Sequence, residues 1–166
     1  MSQTDQVDYQ MVGKKLMRSD GKAIVEVAVP EGYEIFNDNL GDPILSEREI
    51  NGVQYLVIAC NSDLTKPVSL FRDNGKALEY VTDVYSAASF YVDDNVVYHT
   101  DGLGNDGPSY EVHPNRLYVT SLGESGETKV YELDFRVNNC TLDMKDGKLI
   151  ATDPKGVEHV IEGIGR

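Results

Sequence analysis

A run of glycine and acidic residues, Asp101–Pro108 (DGLGNDGP), comes nearest in this sequence to a chemical motif. Gly102, Gly104 and Asp106 match part of a calcium-binding β-roll nonapeptide. Asp101 stands where that repeat needs its first glycine, however, and no adjacent copy exists to share an ion. An EF-hand needs oxygen ligands at alternate positions ahead of an invariant glycine, and the run lacks them. A phosphate cradle needs GxxxxGK[ST] between a strand and a helix. Dinucleotide binding through GxGxxG needs the same helix, and none is expected after Pro108. The run reads as a surface loop, and as the first place to look for a site.

The other reactive side chains are dispersed. His99, His113 and His159 each lack a histidine neighbour within a few residues, so a metal site would have to be assembled through the fold. No GxSxG nucleophile elbow is present. Ser125, within Gly123–Gly126, sits in a turn with no base to activate it. Cys60 and Cys140 form no CxxC pair, so neither looks like half of a zinc site. Each lies in an apolar run and is expected as a buried thiol, with a single bridge between them left open. No catalytic residue, metal or cofactor is expected, and an enzyme is the last of the functional readings.

Ten tyrosines and no tryptophan are the other chemical feature. Tyr80, Tyr85, Tyr91, Tyr98 and Tyr110 gather in one part of the chain. Tyrosine offers large contact area with little side-chain entropy to lose, which suits binding surfaces. The residues expected to form such a surface are Tyr91, Tyr98, Asp101 and Asp106.

The charge balance constrains partners more firmly. The 166 residues carry 28 acidic and 15 basic side chains, a net charge of −13. Such a chain repels phosphate backbones, so direct nucleic-acid binding is not expected. The imbalance is strongest in Leu70–Val112, where Asp73, Glu79, Asp83, Asp93, Asp94, Asp101, Asp106 and Glu111 face only Arg72 and Lys76. A solvated acidic face is the plain reading. A docking face for a basic partner and a cation site are the sharper ones. The N-terminus lacks a basic segment followed by an apolar one, and no run approaches the roughly 18 apolar residues of a membrane span. The expected setting is the cytoplasm, without membrane partners.

These residues must be positioned by strands. Composition is that of a globular chain, 40% hydrophobic and 26% charged. At this length roughly 70% of the unfolded surface can be buried without disulfides or metals. Residues 1–8 read as a polar arm and 9–166 as one all-β domain. Tyr9–Met17 reads as one strand, paired through Ser19-Asp20-Gly21 with Ala23–Val29, where β-branched residues alternate. Ser46-Glu47-Arg48-Glu49 has capping-box spacing and predicts a single helical turn, stopped by Asn51-Gly52. Val53–Cys60 is apolar on both faces and belongs inside a sheet. Hairpins follow around Asp73-Asn74-Gly75-Lys76, Asp93-Asp94-Asn95, Asp146-Gly147 and Asp153-Pro154-Lys155-Gly156. The fold class is all-β, with antiparallel meander or hairpin units in a sandwich, barrel or propeller-blade-like arrangement.

Two hairpins align at a constant offset. Phe90, Val92, Asp94, Val97 and Thr100-Asp101 fall opposite Leu142, Met144, Asp146, Leu149 and Thr152-Asp153. Repeat units of 53–101 and 116–161 follow, each resembling a propeller blade in size but lacking a blade signature. The two Thr-Asp endings read as exit-turn caps. The first functional expectation is a non-enzymatic structural or interaction protein, a subunit of a homo- or hetero-oligomeric assembly such as a phage capsid-decoration or tail-accessory component of the virion. The alternatives are a carbohydrate- or other ligand-binding β module and an acidic DNA mimic that inhibits a nucleic-acid enzyme.

Overall fold

A computed structural model describes residues 7–13, 15–21, 23–33, 44–58, 68–86, 89–101, 113–123 and 126–164. The described residues are all-β, with fourteen strands and no helix. They form four antiparallel sheets, each an open meander in chain order with no barrel closure. The chain divides into two compact units, Met1–Ser62 with Val68–Thr82, and Asp63–Pro67 with Asp83–Arg166. The proposed N-terminal arm up to residue 6, Cys60 and the whole glycine run 102–108 lie outside the described residues.

The first unit holds a three-stranded sheet, β1 (Asp8–Val12), β2 (Lys15–Ser19) and β3 (Ile24–Val27). The run 9–17 is therefore two strands and not one. The chain reverses at Gly13, whose φ of 65° favours a residue without Cβ. The second sheet is β4 (Ile44–Ile50), β5 (Val53–Ile58), β6 (Val68–Asp73) and β7 (Leu78–Val84), in that order. β5 lies inside this sheet, and its Tyr55–Ile58 are buried. The two sheets meet over a core of Tyr9, Leu16, Val27, Leu56, Ile58, Phe71 and Leu78. A parallel bridge between Ala28 and Ala77 joins their edges.

The capping-box reading of Ser46–Glu49 is overturned, because these residues are in β4. Burial alternates along the strand, and Arg48 and Glu49 pair with Tyr55 and Gln54 of β5. Asn51 and Gly52 take φ of 51° and 82°, a two-residue turn of type I′. That turn returns the chain antiparallel, so hydrogen bonds to β5 replace the local helical ones.

The second unit holds β8 (Phe90–Asp93), β9 (Val96–Thr100), β10 (Arg116–Ser121) and β11 (Thr128–Glu132) in one sheet. Its other sheet is β12 (Thr141–Lys145), β13 (Lys148–Thr152) and β14 (Glu158–Ile161). The aligned hairpins are β8–β9 and β12–β13, and each opens its sheet. The expected units 53–101 and 116–161 would instead join strands of different sheets, since β5 and β6 sit with β4 and β7. Turn dipeptides mark local pairing but not which neighbour a hairpin adds to.

At the tip of β12–β13, Asp146 and Gly147 take φ of 52° and 77°, again type I′. A Cβ at Gly147 would meet nothing within 4 Å, so a substitution is opposed by the backbone alone. Gly147→Val is expected to cost about 1–2 kcal/mol, the penalty of a left-handed β-branched residue. A shift of the urea midpoint at unchanged slope measures it.

Candidate functional site

The strands β8 and β9 bring the sequence-predicted residues together, but not on a surface. Tyr91 and Tyr98 are directly opposed across the hairpin. Their exposures are 5% and 1%. The sequence reading made them a binding surface; the structure places both rings in the core. The reason is that β8 and β9 are buried on both faces, which alternation in one hairpin does not reveal. Tyr98 forms part of the wall of a 240 Å³ recess with Met144, Leu149 and Ile161.

Asp101 is buried directly after β9. Its Oδ2 accepts the His113 backbone N–H at 2.6 Å, and its Oδ1 accepts the Tyr118 hydroxyl at 2.8 Å. Both oxygens are thus spent on holding the two sides of the 102–112 segment together. Burial, and then the bond to Asp101, push the Tyr118 hydroxyl up from its ordinary pKa. Asp106, the fourth predicted residue, lies outside the described residues.

His99 lies beside this pair, fully within the unit. Its ring stacks on Tyr118 at 5.3 Å, and Tyr85 lies tilted by 40° against Tyr118 at 5.0 Å. His99 Nε2 is 2.9 Å from Thr120 Oγ1, which in turn bonds Thr128 Oγ1 at 2.9 Å. Nδ1 is buried and finds no hydrogen-bond partner among the described residues. Burial lowers the His99 pKa to about 4, so the ring is neutral at pH 7. A neutral imidazole, a phenol with a raised pKa and a carboxylate that accepts two hydrogen bonds thus lie together in the core.

The sequence missed a comparable network in the first unit. Tyr9 and Arg18 are opposed across β1–β2, and both reach Asp73 at the end of β6. Asp73 Oδ2 accepts from Tyr9 Oη at 2.7 Å and from Arg18 Nη1 at 2.8 Å. Oδ1 accepts the Gly75 N–H at 2.8 Å, and Arg18 Nη2 donates to the Gly75 carbonyl at 3.0 Å. Burial alone would raise the carboxyl pKa, but the bonds from Tyr9, Gly75 and Arg18 outweigh it and hold it below its ordinary value.

A third arrangement lies where the β11–β12 connection meets the β13–β14 turn. Asp153 caps that turn, its Oδ1 accepting from the Lys155 and Val157 N–H groups at 2.9 and 3.0 Å. Its Oδ2 is 3.1 Å from His159 Nε2. The Val157 and His159 bonds lead in lowering the Asp153 pKa. The His159 ring stacks on Phe135 at 4.5 Å and 15°. With Arg136, Asn139, Pro154 and Lys155 they line an open cleft of about 330 Å³. Arg136 Nε donates to Oδ1 of the buried Asn138 at 2.9 Å. The two Thr-Asp endings therefore differ: Asp153 caps its local turn, and Asp101 bonds His113 and Tyr118 instead.

Cys140 is a free thiol, buried between these features. Ser89 Oγ donates to its carbonyl at 2.7 Å, tying the start of β8 to the start of β12. Burial raises the thiol pKa, which leaves it protonated and unreactive.

Apolar residues stand out on the outer strands instead. β3, β11 and β14 are each last in their sheet. Ile24 on β3 is 70% exposed, and Val130 on β11 is 51% exposed. Val160 on β14 and Val157 just before it are exposed too. β11 is largely exposed on both faces, so its pairing with β10 is what holds it.

No helix among the described residues is long and apolar enough to cross a membrane. No protein-family model matches the chain, and no curated protein matches it significantly.

Proposed function

We propose that this protein is a non-catalytic subunit of a protein assembly, joined to its neighbours through outer strands. The observation that carries the reading is the exposure of β-branched side chains on β3, β11 and β14, three strands that end their sheets. An outer strand presents unpaired N–H and C=O groups, a template for strand addition. Exposed isoleucine and valine add apolar area that a second strand would cover. Because one chain carries several such edges, copies of the chain are the simplest partners. The net charge of −13 opposes close approach, so association should strengthen with salt. A virion decoration or tail-accessory subunit is one assembly of this kind.

Light scattering across a concentration series tests this. Reversible association is expected, more pronounced at 0.5 M than at 0.05 M salt (roughly 4 and 14 Å screening lengths). Ile24→Lys or Val130→Lys should weaken it about tenfold or more without changing the circular dichroism spectrum, since a lysine on an edge strand blocks pairing. A monodisperse monomer at every concentration and salt would overturn the reading.

A further inference from the structure

We propose that the cleft formed by Phe135, Arg136, Asn139, Asp153, Lys155 and His159 is a binding site for the phosphate oxyanion of a small molecule. The first support is how charge is distributed. Lys15, Arg18, Arg72, Arg116, Lys145 and Lys148 are each ion-paired with a carboxylate. Arg136 and Lys155, like Lys76 and Lys129, make no such pair among the described residues; what sets them apart is that they share one cleft. Two cations left without carboxylate partners line the same cleft.

The second support is that the cleft's polar groups are already held. Arg136 Nε is fixed by buried Asn138, which leaves the terminal N–H groups of the guanidinium for another acceptor. A planar guanidinium fork matches a phosphate oxygen pair, and a nearby lysine adds a mobile point charge. Asp153 also lines the cleft, but its oxygens are spent on Lys155 N, Val157 N and His159. It stays ionised, and those donors offset part of its field in the cleft. Phe135 and His159, stacked on each other, give the cleft an aromatic wall. A volume of about 330 Å³ falls at the small end of the ligand-pocket range. The chemistry fits a tetrahedral oxyanion, either the free ion or one attached to a flat organic body.

Titration of the ¹⁵N-labelled full chain at constant ionic strength, with inorganic phosphate and separately with phenyl phosphate, tests this. Saturable shifts are expected at the Arg136 side chain and at the amides of Lys155 and Val157. Arg136→Gln and Lys155→Gln should each weaken binding by about fivefold or more, since each removes a charge-assisted bond. Lys129→Gln, which removes the same charge from β11, should leave it unchanged. Tighter binding of phenyl phosphate assigns an organic phosphate, and equal binding assigns the free ion; either supports the site. Shifts that grow linearly without saturation, or equal binding by wild type and both cleft variants, would overturn it.

Discussion

Asp73→Ala is expected to destabilise the protein by about 3–5 kcal/mol, the usual loss when one partner of a buried ion pair is removed. The side chains of Asp73 and Arg18 are only 3% and 14% exposed, so solvent screens their attraction little. Alanine leaves the largely covered Arg18 charge with only the Gly75 carbonyl as acceptor. Arg18 Nε already has no partner among the described residues. The same change takes the acceptor from Tyr9 Oη and from Gly75 N–H. Arg18→Met should cost less, because Asp73 keeps those two donors. The double variant Asp73→Leu, Arg18→Met should recover much of the loss, since it leaves no buried charge behind. Urea unfolding followed by circular dichroism gives the values, and hydrogen exchange should show the loss of protection centred on β1, β2 and β6. An Asp73→Ala penalty below about 1 kcal/mol, the range of exposed pairs, would show that the network is worth no more than a surface ion pair.

The second large effect is a loss of stability on mild acidification, and His99 causes it. In the unfolded chain its imidazole takes a proton near pH 6.5, but burial holds the folded value to about 4. Above pH 6.5 both states are neutral and His99 contributes no pH dependence. Between pH 6.5 and 4 only the unfolded chain binds the proton, so stability falls as pH falls. Below pH 4 both states are protonated and the loss is complete. Each pKa unit is worth about 1.4 kcal/mol, so the full loss is about 3 kcal/mol. The structural cause is burial: a charged ring would be cut off from water, with Nδ1 lacking an acceptor among the described residues.

Asp73 acts in a different window. Its folded pKa is lowered, so its contribution is present above its ordinary value near 3.8 and is lost as pH falls further. His99→Gln removes the first titration and leaves the second. Its stability profile should therefore be flatter than that of wild type between pH 6.5 and 4, with the decline below pH 3.8 retained. Parallel profiles for the two proteins across that upper window would contradict the assignment.

How much of this was legible in the sequence depended on distance along the chain. Asp153 reads correctly as a turn cap because its partners lie two, four and six residues away. Asp146-Gly147 predicts its hairpin because the required positive φ values belong to the turn itself. Asp73 also reads as a turn residue, which it is, through the Gly75 N–H. Its bonds to Tyr9 and Arg18 span 64 and 55 residues, and no local pattern encodes them. Ser46–Glu49 shows the opposite failure. A local helix signal was present, and pairing with β5 overrode it.

The tyrosines follow the same rule. Tyr91 and Tyr98 could be placed on strands from sequence, but their exposure depends on what covers each face of the hairpin. β12 packs against β8, and the Ser89 hydroxyl bonds the Cys140 carbonyl across 51 residues. The cleft beside His159 was equally hidden, because Phe135 and Arg136 come from one connection and Asp153 to His159 from another.

Asp101–Pro108 drew the first attention because glycines and carboxylates alternate there. The structure places Asp101 itself in the core, bonded to His113 N–H and the Tyr118 hydroxyl. By itself, the sequence determined the all-β class, the hairpin turns around Asp73–Lys76, Asp93–Asn95, Asp146-Gly147 and Asp153–Gly156, and the acidic charge balance, because those follow from neighbouring residues and composition. Only the tertiary structure decided which carboxylates are buried, which tyrosines are core and which cations stay without carboxylate partners. Each of those outcomes is set by contacts between strands far apart in the chain, where burial and pairing outweigh local preference.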